Sequence, residues 1–236
     1  MRLLVNLALI FSISSCMQSK NHVKIFSTNE FVLIDTTLTG NKFLTFEESY
    51  SNYPIYFIGS NTDTIKIGSR YKVGQIRNSQ ANERFINRKY TNETLKLFVD
   101  TTINTTSSTE YFSENYGALD SVKMFKSYLL MLQNISSSSL YLGRSFELLH
   151  LVRQAKDKTG KWINIDKSYD EINLCMTGQP TIILQSNEII ISKLKRYTGR
   201  FFTDFRFEFG TKENTVYSNV FKDYIDERII INAYKK

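Results

Sequence analysis

The sequence is poor in cysteine, histidine, proline and glycine, and each shortage excludes a class of protein. Two cysteines among 236 residues cannot make a disulfide-stapled scaffold, and two histidines leave little for a histidine-based metal or acid–base centre. With 2 prolines and 10 glycines, no proline-rich linker runs through the chain. Hydrophobic residues at 42% and charged residues at 22% are typical of a globular protein and exclude a disordered or collagen-like chain.

Short catalytic, cofactor and nucleic-acid motifs are also missing. The sequence contains no GxSxG, HExxH, Walker, GxGxxG or CxxC pattern, and no zinc-knuckle, RNP or helix-turn-helix pattern. Asp157-Lys158-Thr159-Gly160 lacks the alternating acidic side chains of a calcium loop. Adjacent carboxylates at Glu47-Glu48 and Asp170-Glu171 would point to opposite faces of a strand, whereas a glycosidase needs facing ones. We therefore predict no catalytic residue, cofactor, metal or nucleic-acid partner.

Residues 1–15 have the features of an export signal. Arg2 supplies a positive charge, and residues 3–13 form an apolar stretch shorter than the roughly 20 residues that a membrane-spanning helix needs. The string Ile13-Ser14-Ser15-Cys16 follows, and it resembles the lipobox of bacterial lipoproteins: an aliphatic residue, two small residues and the cysteine that receives the lipid. The alternative is an ordinary secretory peptide that contains a cysteine.

The lipobox resemblance implies a membrane-anchored protein of the cell envelope. The mature chain would begin at Cys16 and carry several acyl chains there, which give stable attachment, and residues 16–22 would be the lipidated cysteine and a polar tether. Met17 stands where an aspartate would favour inner-membrane retention, so the outer membrane is the expected destination. Export also places the protein away from nucleic acid.

Cys175 is the other thiol, and it does not predict a catalytic centre. Its neighbours Leu174 and Met176 fit a small buried hydrophobic residue better than a nucleophile. A cysteine–histidine pair with His150 or His22 has no flanking motif to support it. An enzyme would therefore need a site assembled from residues far apart in the sequence.

The 14 tyrosines and 17 phenylalanines favour β-strands, and the predicted fold class is mainly β. Residues 201–209 alternate with a period of two, which is typical of a half-buried strand. One face would carry Phe201, Thr203, Phe205, Phe207 and Phe209, and the other Phe202, Asp204, Arg206 and Glu208. Further strands are predicted at 31–35, 53–58, 64–67, 95–99, 128–132, 146–155, 162–165, 181–184, 188–192 and 228–232.

Two short polar segments have the chemistry of hairpin turns. Asp157-Lys158-Thr159-Gly160 combines an aspartate that can bond its own backbone with a glycine that accepts positive φ, and Gln185-Ser186-Asn187 separates two apolar runs in the same manner. Residues 120–132 also fit a helical period, but their β-branched and aromatic content favours a strand. Residues 221–228 have room for one helical turn.

A polar stretch divides the chain into two predicted regions. Residues 101–108 read TTINTTSS, without apolar periodicity, so residues 101–121 are predicted to be a linker or long loop. That leaves a smaller N-terminal β region at 23–100 and a C-terminal domain at 122–236, which has the usual size of an antiparallel immunoglobulin-like β-sandwich. One continuous domain with a long loop is the alternative.

A longer pattern in the C-terminal half resembles a known group of proteins. It consists of Ala155-Lys156-Asp157-Lys158-Thr159-Gly160-Lys161-Trp162, Cys175, Gly178, residues 184–188, Tyr197-Thr198-Gly199-Arg200-Phe201, Arg206-Phe207 and Val216-Tyr217-Ser218-Asn219-Val220-Phe221. This pattern, over about 140–225, resembles uncharacterised exported lipoproteins of Bacteroidota whose C-terminal part is similar to bacterial immunoglobulin-like sandwich domains. The resemblance implies a fold and an envelope address, and it implies no activity.

Four residues in that pattern are predicted to have structural roles. Trp162 follows a glycine turn, where a tryptophan more often packs under the hairpin than holds a ligand. Tyr197 and Tyr217 are interpreted as corner residues whose hydroxyls bond to the backbone, and Gly199 belongs to the same Tyr-x-Gly corner as Tyr197.

The densest positive run, Lys193-Leu194-Lys195-Arg196, is interpreted as a solvated edge or loop, with contact to anionic headgroups or glycans as the alternative.

Two functional hypotheses of different classes follow. The first is a non-catalytic binding or accessory module that is anchored through Cys16 and binds an envelope protein or glycan; exposed aromatics clustered at one end of the sandwich would favour it. The second is a hydrolase of an envelope or extracellular polymer with an unrecognised site. A concave pocket with two facing carboxylates, or Cys175 beside His150, would favour the second. A protease-inhibitor-like β module with one rigid exposed loop is a weaker third hypothesis.

Overall fold

The computed structural model describes residues 24–27, 31–37, 53–68, 89–112, 119–166, 179–211 and 214–234. The predicted signal peptide, Cys16, the tether, Cys175 and the adjacent carboxylate pairs lie outside these residues. The described residues form fourteen strands and one helix. In chain order these are β1 (Lys24–Ser27), β2 (Val32–Asp35), β3 (Ile55–Ser60), β4 (Thr64–Ile67), β5 (Leu95–Phe112), β6 (Leu119–Asn134), β7 (Leu140–Arg144), β8 (Leu151–Lys156), β9 (Trp162–Asn164), β10 (Thr181–Leu184), β11 (Glu188–Lys195), β12 (Phe201–Thr211), β13 (Asn214–Tyr217), β14 (Phe221–Ile225) and α1 (Glu227–Ala233).

The mainly β fold class is confirmed, and the strands pair into four sheets. The central sheet has the order β3-β11-β6-β5, and the five-stranded sheet has the order β13-β12-β8-β9 with β14 also paired to β12. A three-stranded sheet has the order β1-β2-β4, and β10 pairs with β7. The strand pairs are antiparallel except β2 with β4, which is parallel.

The central sheet lies between two apolar cores. Ile190 and Leu194 of β11 belong to the larger core, which β12 and the other strands of the five-stranded sheet close from one side. Ile189 and Ile191 belong to the smaller core, together with Leu33 of the three-stranded sheet. Because neighbouring side chains of a strand point to opposite faces, β11 is buried on both faces, and the described sheets on either side of it make three layers.

The alternation predicted for residues 201–209 is confirmed in β12. Thr203, Phe205, Phe207 and Phe209 are buried, whereas Phe202 is 52% exposed. The predicted hairpin turn at Asp157-Lys158-Thr159-Gly160 is confirmed, because it joins the paired strands β8 and β9. Gln185-Ser186-Asn187 is a turn but not a hairpin, because β10 and β11, which it joins, pair with other strands. Gly160 has φ of 85°, and Asn187 has φ of 61°. The carboxylate of Asp157 accepts hydrogen bonds from the backbone N–H of Thr159 (2.8 Å) and of Lys161 (2.9 Å).

The predicted linker at 101–121 is wrong for the described part of that segment, because it belongs to the long antiparallel pair of β5 and β6. The short polar side chains of this pair are buried and bond to one another. The hydroxyl oxygens of Ser107 and Ser127 are 2.7 Å apart, and the Thr105 hydroxyl donates to the Ser127 carbonyl (3.4 Å). Thr105 and Thr106 are β-branched, which suits a strand. The low hydrophobicity of this segment therefore reflects buried hydroxyl contacts within a strand pair, and it does not mark a break between domains.

The boundary between residues 23–100 and 122–236 does not separate two cores. Strand β3 pairs with β11, so the central sheet contains strands from both sides of the boundary. Ile55, Leu95 and Leu97 share the larger core with Phe205 and Ile225. The N-terminal and C-terminal strands that the structure describes therefore pack as one unit.

The strand predicted at 228–232 is wrong, because this segment lies in α1. Asp226 is the N-cap, and its carboxylate accepts a hydrogen bond from the Arg228 backbone N–H (2.9 Å). Ile229 and Ile230 are buried and Ile231 is exposed, so the isoleucine run fits a helix with one apolar side. The helical turn considered at 221–228 is a strand, β14, as far as residue 225.

In the described part of the chain, no helix is long and apolar enough to cross a membrane.

Candidate functional site

The outward side of the five-stranded sheet carries most of the exposed aromatic rings of the described chain. The alternation that buries Phe205 and Phe207 places the intervening residues of β12 outside, and the neighbouring strands continue the pattern. We call this surface the outer aromatic face. It consists of Gln154, Lys156, Trp162, Asn164, Phe202, Asp204, Arg206, Glu208, Tyr217, Lys222 and Tyr224.

A polar network occupies the centre of the outer aromatic face. The Gln154 side-chain amide donates to the carboxamide oxygen of Asn164 (2.7 Å) and to the carboxylate of Glu208 (2.8 Å). Its own oxygen accepts a hydrogen bond from Nε of Arg206 (2.7 Å). Lys156 donates to the Asp204 carboxylate at 2.9 Å. Gln154 lies on β8, Asn164 on β9 and Glu208 on β12, so the pairing of these three strands fixes the geometry of the network.

Aromatic rings flank this network and contact its cations. The Arg206 guanidinium carbon lies 4.4 Å from the centre of the Trp162 ring and 4.2 Å from that of Tyr217. Lys156 Nζ lies 5.1 Å from the Trp162 ring. These cation–π contacts hold the Arg206 guanidinium between the Trp162 and Tyr217 rings.

A second pair of rings lies where β12 and β14 pair. Phe202 and Tyr224 are cross-strand partners with ring centres 4.9 Å apart and a tilt of 45°. Phe202 is 52% exposed, Tyr224 49% and Tyr217 39%. Rings that remain this accessible contribute less to core packing and are available to a ligand.

Trp162 and Tyr217 lie on the outer aromatic face instead of in the core or at a corner. Trp162 is half-buried on β9, and Tyr217 is exposed on β13. The hairpin with the Asp157 turn does precede Trp162, but the ring packs against Lys156 and Arg206 on the outward side. Two residues assigned structural roles from the sequence therefore belong to the candidate site.

Tyr197 is buried, and its hydroxyl bonds to a side chain. It donates to the Asp166 carboxylate (3.1 Å), which also accepts hydrogen bonds from the Tyr53 hydroxyl and the Arg153 backbone N–H. Burial raises the pKa of Asp166, while Arg153 opposes the shift. Burial likewise raises the pKa of Tyr53. Arg153 donates to the Lys195 carbonyl (3.0 Å), so this cluster joins the two sheets across the larger core.

Gly199 is required by a close approach of two backbone segments. A Cβ atom at this position would lie 2.1 Å from the Ile225 carbonyl carbon and oxygen and 2.2 Å from the Asp226 nitrogen. Glycine therefore lets the segment before β12 pass over the end of β14. This contact explains the glycine, whereas the hydrogen bond of the Tyr197 hydroxyl to the Asp166 side chain is not the hydroxyl-to-backbone bond predicted for the corner.

The interpretation of the positive run as a solvated edge is wrong for Lys193, whose side chain is fully buried in β11. Its ammonium group donates to both carboxylate oxygens of Asp35 (3.0 and 2.9 Å), to the Thr106 carbonyl (2.9 Å) and to the Thr37 hydroxyl. Burial lowers the pKa of Lys193, while Asp35 opposes the shift. The ion pair links the three-stranded sheet to the central sheet. Its acceptors account for every ammonium proton, which favours a structural role.

Two small cavities lie beside buried polar groups. One of about 30 Å³ lies beside Lys193 and Lys195, and one of about 10 Å³ lies beside Arg153 and Asp223. Neither cavity is lined by two facing carboxylates.

His150 lies in a turn before β8, where its backbone carbonyl accepts a hydrogen bond from the Gly210 N–H (2.9 Å). Over the described ranges, no group of three or more histidine, cysteine, aspartate or glutamate side chains is placed to hold a metal ion.

Sequence patterns contained part of the signal for this site. The alternation in residues 201–209 already placed Phe202 and Arg206 on the polar side of a strand. The sequence did not show the strand pairing that brings Trp162, Tyr217 and Tyr224 to the same surface from three other strands.

Comparison with protein-family models, curated proteins and solved structures gives no match to this chain. The residues themselves therefore carry the functional proposal.

Proposed function

We propose that this chain is a non-catalytic binding module of the cell envelope, anchored in a membrane through lipid on Cys16. The outer membrane is the proposed destination, and an envelope protein or glycan is the proposed partner. The observation that carries the binding role is the outer aromatic face, where exposed rings surround a preorganised polar network. Exposed aromatic rings that lie together with fixed polar groups on one surface are typical of binding surfaces.

The lipobox-like string supports the anchor, and the sheet arrangement supports the binding role. A face built on five paired strands is rigid, so its rings keep their spacing when a ligand arrives. The immunoglobulin-like assignment for residues 122–236 belongs to the proposal. Two facing antiparallel sheets favour it, although the central sheet also uses β3 and β5. The exposed aromatics lie on a sheet face instead of at one end of the sandwich.

The hydrolase alternative lacks a supporting observation in the described residues. The cavities beside Lys193 and Arg153 are about the size of one or two water molecules, too small for a polymer segment. Cys175 lies outside the described residues, so no geometry supports its pairing with His150. The binding module is therefore the better proposal.

Membrane fractionation of cells tests the anchor. We expect the wild-type protein in the membrane pellet and Cys16→Ala in the soluble fraction, because the substitution removes the lipidated thiol. Retention of Cys16→Ala in the membrane fraction after a high-salt wash would refute lipid anchoring.

In-cell chemical crosslinking and pull-down tests the binding role. We expect wild-type protein to capture a discrete envelope component that the double variant Phe202→Ser/Tyr224→Ser captures much less. The matched control is Val122→Ser/Ile135→Ser, which changes two exposed apolar residues away from the outer aromatic face. Equal capture by both variants would contradict a binding role for this face, and no capture by any form would contradict a protein partner.

A further inference from the structure

We propose that the outer aromatic face binds an uncharged polysaccharide, with pyranose rings packed against Trp162, Tyr217 and the Phe202–Tyr224 pair. This inference rests on the proposed function and names the ligand class of the same surface. Three features of the described residues favour such a ligand over a protein or a polyanion: the placement of polar groups, the balance of charge and the position of the face relative to the anchor.

The placement of polar groups is the reverse of that in a protein–protein interface. Such interfaces have an apolar centre depleted of charged residues and a polar rim. Here Gln154, Arg206 and Glu208 form the centre, and the aromatic rings lie around them. A pyranose ring matches this order, because its hydroxyls can reach the partly exposed Arg206 and Glu208, which the buried Gln154 holds in place. Its C–H bonds pack on the electron-rich faces of aromatic rings.

The charge of the outer aromatic face is nearly balanced. It has three cations, Lys156, Arg206 and Lys222, and two carboxylates, Asp204 and Glu208, which leaves a net charge of +1. Lys156 lies 2.9 Å and Lys222 4.0 Å from the Asp204 carboxylate. A surface that binds a polyanion needs a clear cationic excess, so an uncharged ligand is the better complement.

The anchor places the outer aromatic face on the side away from the membrane. Strand β1 begins at Lys24 and belongs to the three-stranded sheet, on the far side of the central sheet. Eight residues from Cys16 to Lys24 reach at most about 29 Å when extended, which favours an orientation with this sheet nearest the bilayer. Packed sheets lie about 10 Å apart, so the face looks outward from roughly 20 Å further away. A polymer in the compartment that the protein faces can reach it there.

Trp162 makes the inference directly measurable, because it is the single tryptophan of the chain and lies on the proposed binding face. We would titrate full-length lipidated protein, held in a detergent without a sugar headgroup, with soluble galactomannan, hydroxyethyl cellulose and dextran, and follow tryptophan emission. We expect a saturable change with at least one neutral polysaccharide. Polygalacturonate and heparin serve as anionic comparisons.

Two variants keep Trp162 as the reporter and test where binding occurs. We expect Phe202→Ser/Tyr224→Ser to weaken the apparent affinity about tenfold or more, because aromatic anchors dominate such contacts. Val122→Ser/Ile135→Ser should bind as the wild type does. Circular-dichroism melting of each variant shows whether it folds, and Tyr217→Ser provides a second face variant if the double variant does not.

Three results would overturn the inference. One is no emission change with any neutral polysaccharide. Another is stronger binding to the polyanions that disappears in salt. The third is equal loss of affinity in both double variants. If in-cell crosslinking nevertheless captures a discrete protein through this face, the polysaccharide inference fails and the proposed binding function holds. If neither experiment detects a ligand, both proposals fail.

Discussion

Breaking the buried pair of Lys193 and Asp35 should destabilise the protein strongly, whereas removing both charges should not. Lys193→Met leaves the Asp35 carboxylate in the protein interior with the Thr37 N–H as a remaining donor at 2.9 Å. Removing one partner of a buried pair costs about 3–5 kcal/mol of unfolding free energy. For a chain of this size, that corresponds to a drop of about 6–20 °C in Tm. Asp35→Leu should cost about as much, since it leaves the buried Lys193 ammonium group without a negatively charged partner.

The double variant Lys193→Met/Asp35→Leu isolates the interaction. We expect it to lose about 2 kcal/mol or less, because apolar side chains then fill the site, although the Thr37 N–H loses its acceptor. The coupling energy between the two sites should therefore be about 4 kcal/mol or more. Urea denaturation of the four forms, followed by circular dichroism, measures it. Lys222→Met, which removes an exposed lysine, is the control and should change stability by less than about 0.5 kcal/mol. Additive single-site losses would refute the assigned contact between the layers.

Three further predictions concern other parts of the fold. Gly199→Ala should cost about 3 kcal/mol or more of unfolding free energy, because its Cβ would meet the Ile225 backbone at 2.1 Å. Gly160→Ala is the control and should cost about 1 kcal/mol, because Gly160 has φ of 85° and no atom within 4 Å of the added Cβ. Equal losses in urea denaturation would contradict the steric reason. Hydrogen bonds from Arg228 lower the pKa of Asp226 to about 2, so its folded-state pKa lies below the unfolded value. The resulting stabilisation should be complete above about pH 4 and disappear as the pH falls towards 2; Asp226→Asn should flatten this acid-side loss in Tm measured against pH, and an unchanged profile would contradict the assignment. Trp162→Ala should cost about 1–3 kcal/mol, less than a fully buried tryptophan, because its ring is half-buried and loses mainly the contacts with Lys156 and Arg206; a loss above about 4 kcal/mol would place it in the core.

Local patterns predicted ten of the fourteen strands at least in part, although residues 146–150, predicted as the start of a strand, precede β8. The period of two in residues 201–209 predicted which side of β12 is buried, because that period is a property of any half-buried strand. The Asp157 and Gln185 turns were predicted for the same reason, since their chemistry acts over four residues or fewer. Residues 64–67 and 181–184 match β4 and β10 at both ends.

Features that depend on contacts distant in sequence were not predicted. Lys193 looks like part of an exposed basic run until Asp35, 158 residues away, is placed against it. The hydroxyl-rich part of β5 looks like a linker because its buried partner, Ser127, lies on another strand. The polar and aromatic residues of the outer aromatic face likewise come from five strands, and pairing alone brings them together.

The most direct test of the central claim is site-specific photocrosslinking in living cells from the outer aromatic face. A photoreactive amino acid replaces Tyr224 in the lipidated full-length protein, and the matched position is Val122, which is exposed at 48% on β6. We predict a discrete crosslinked product from position 224 that is absent from position 122 and diminished when Trp162 and Tyr217 are replaced by serine. The same products from both positions, or none from position 224, would contradict a binding role for this face.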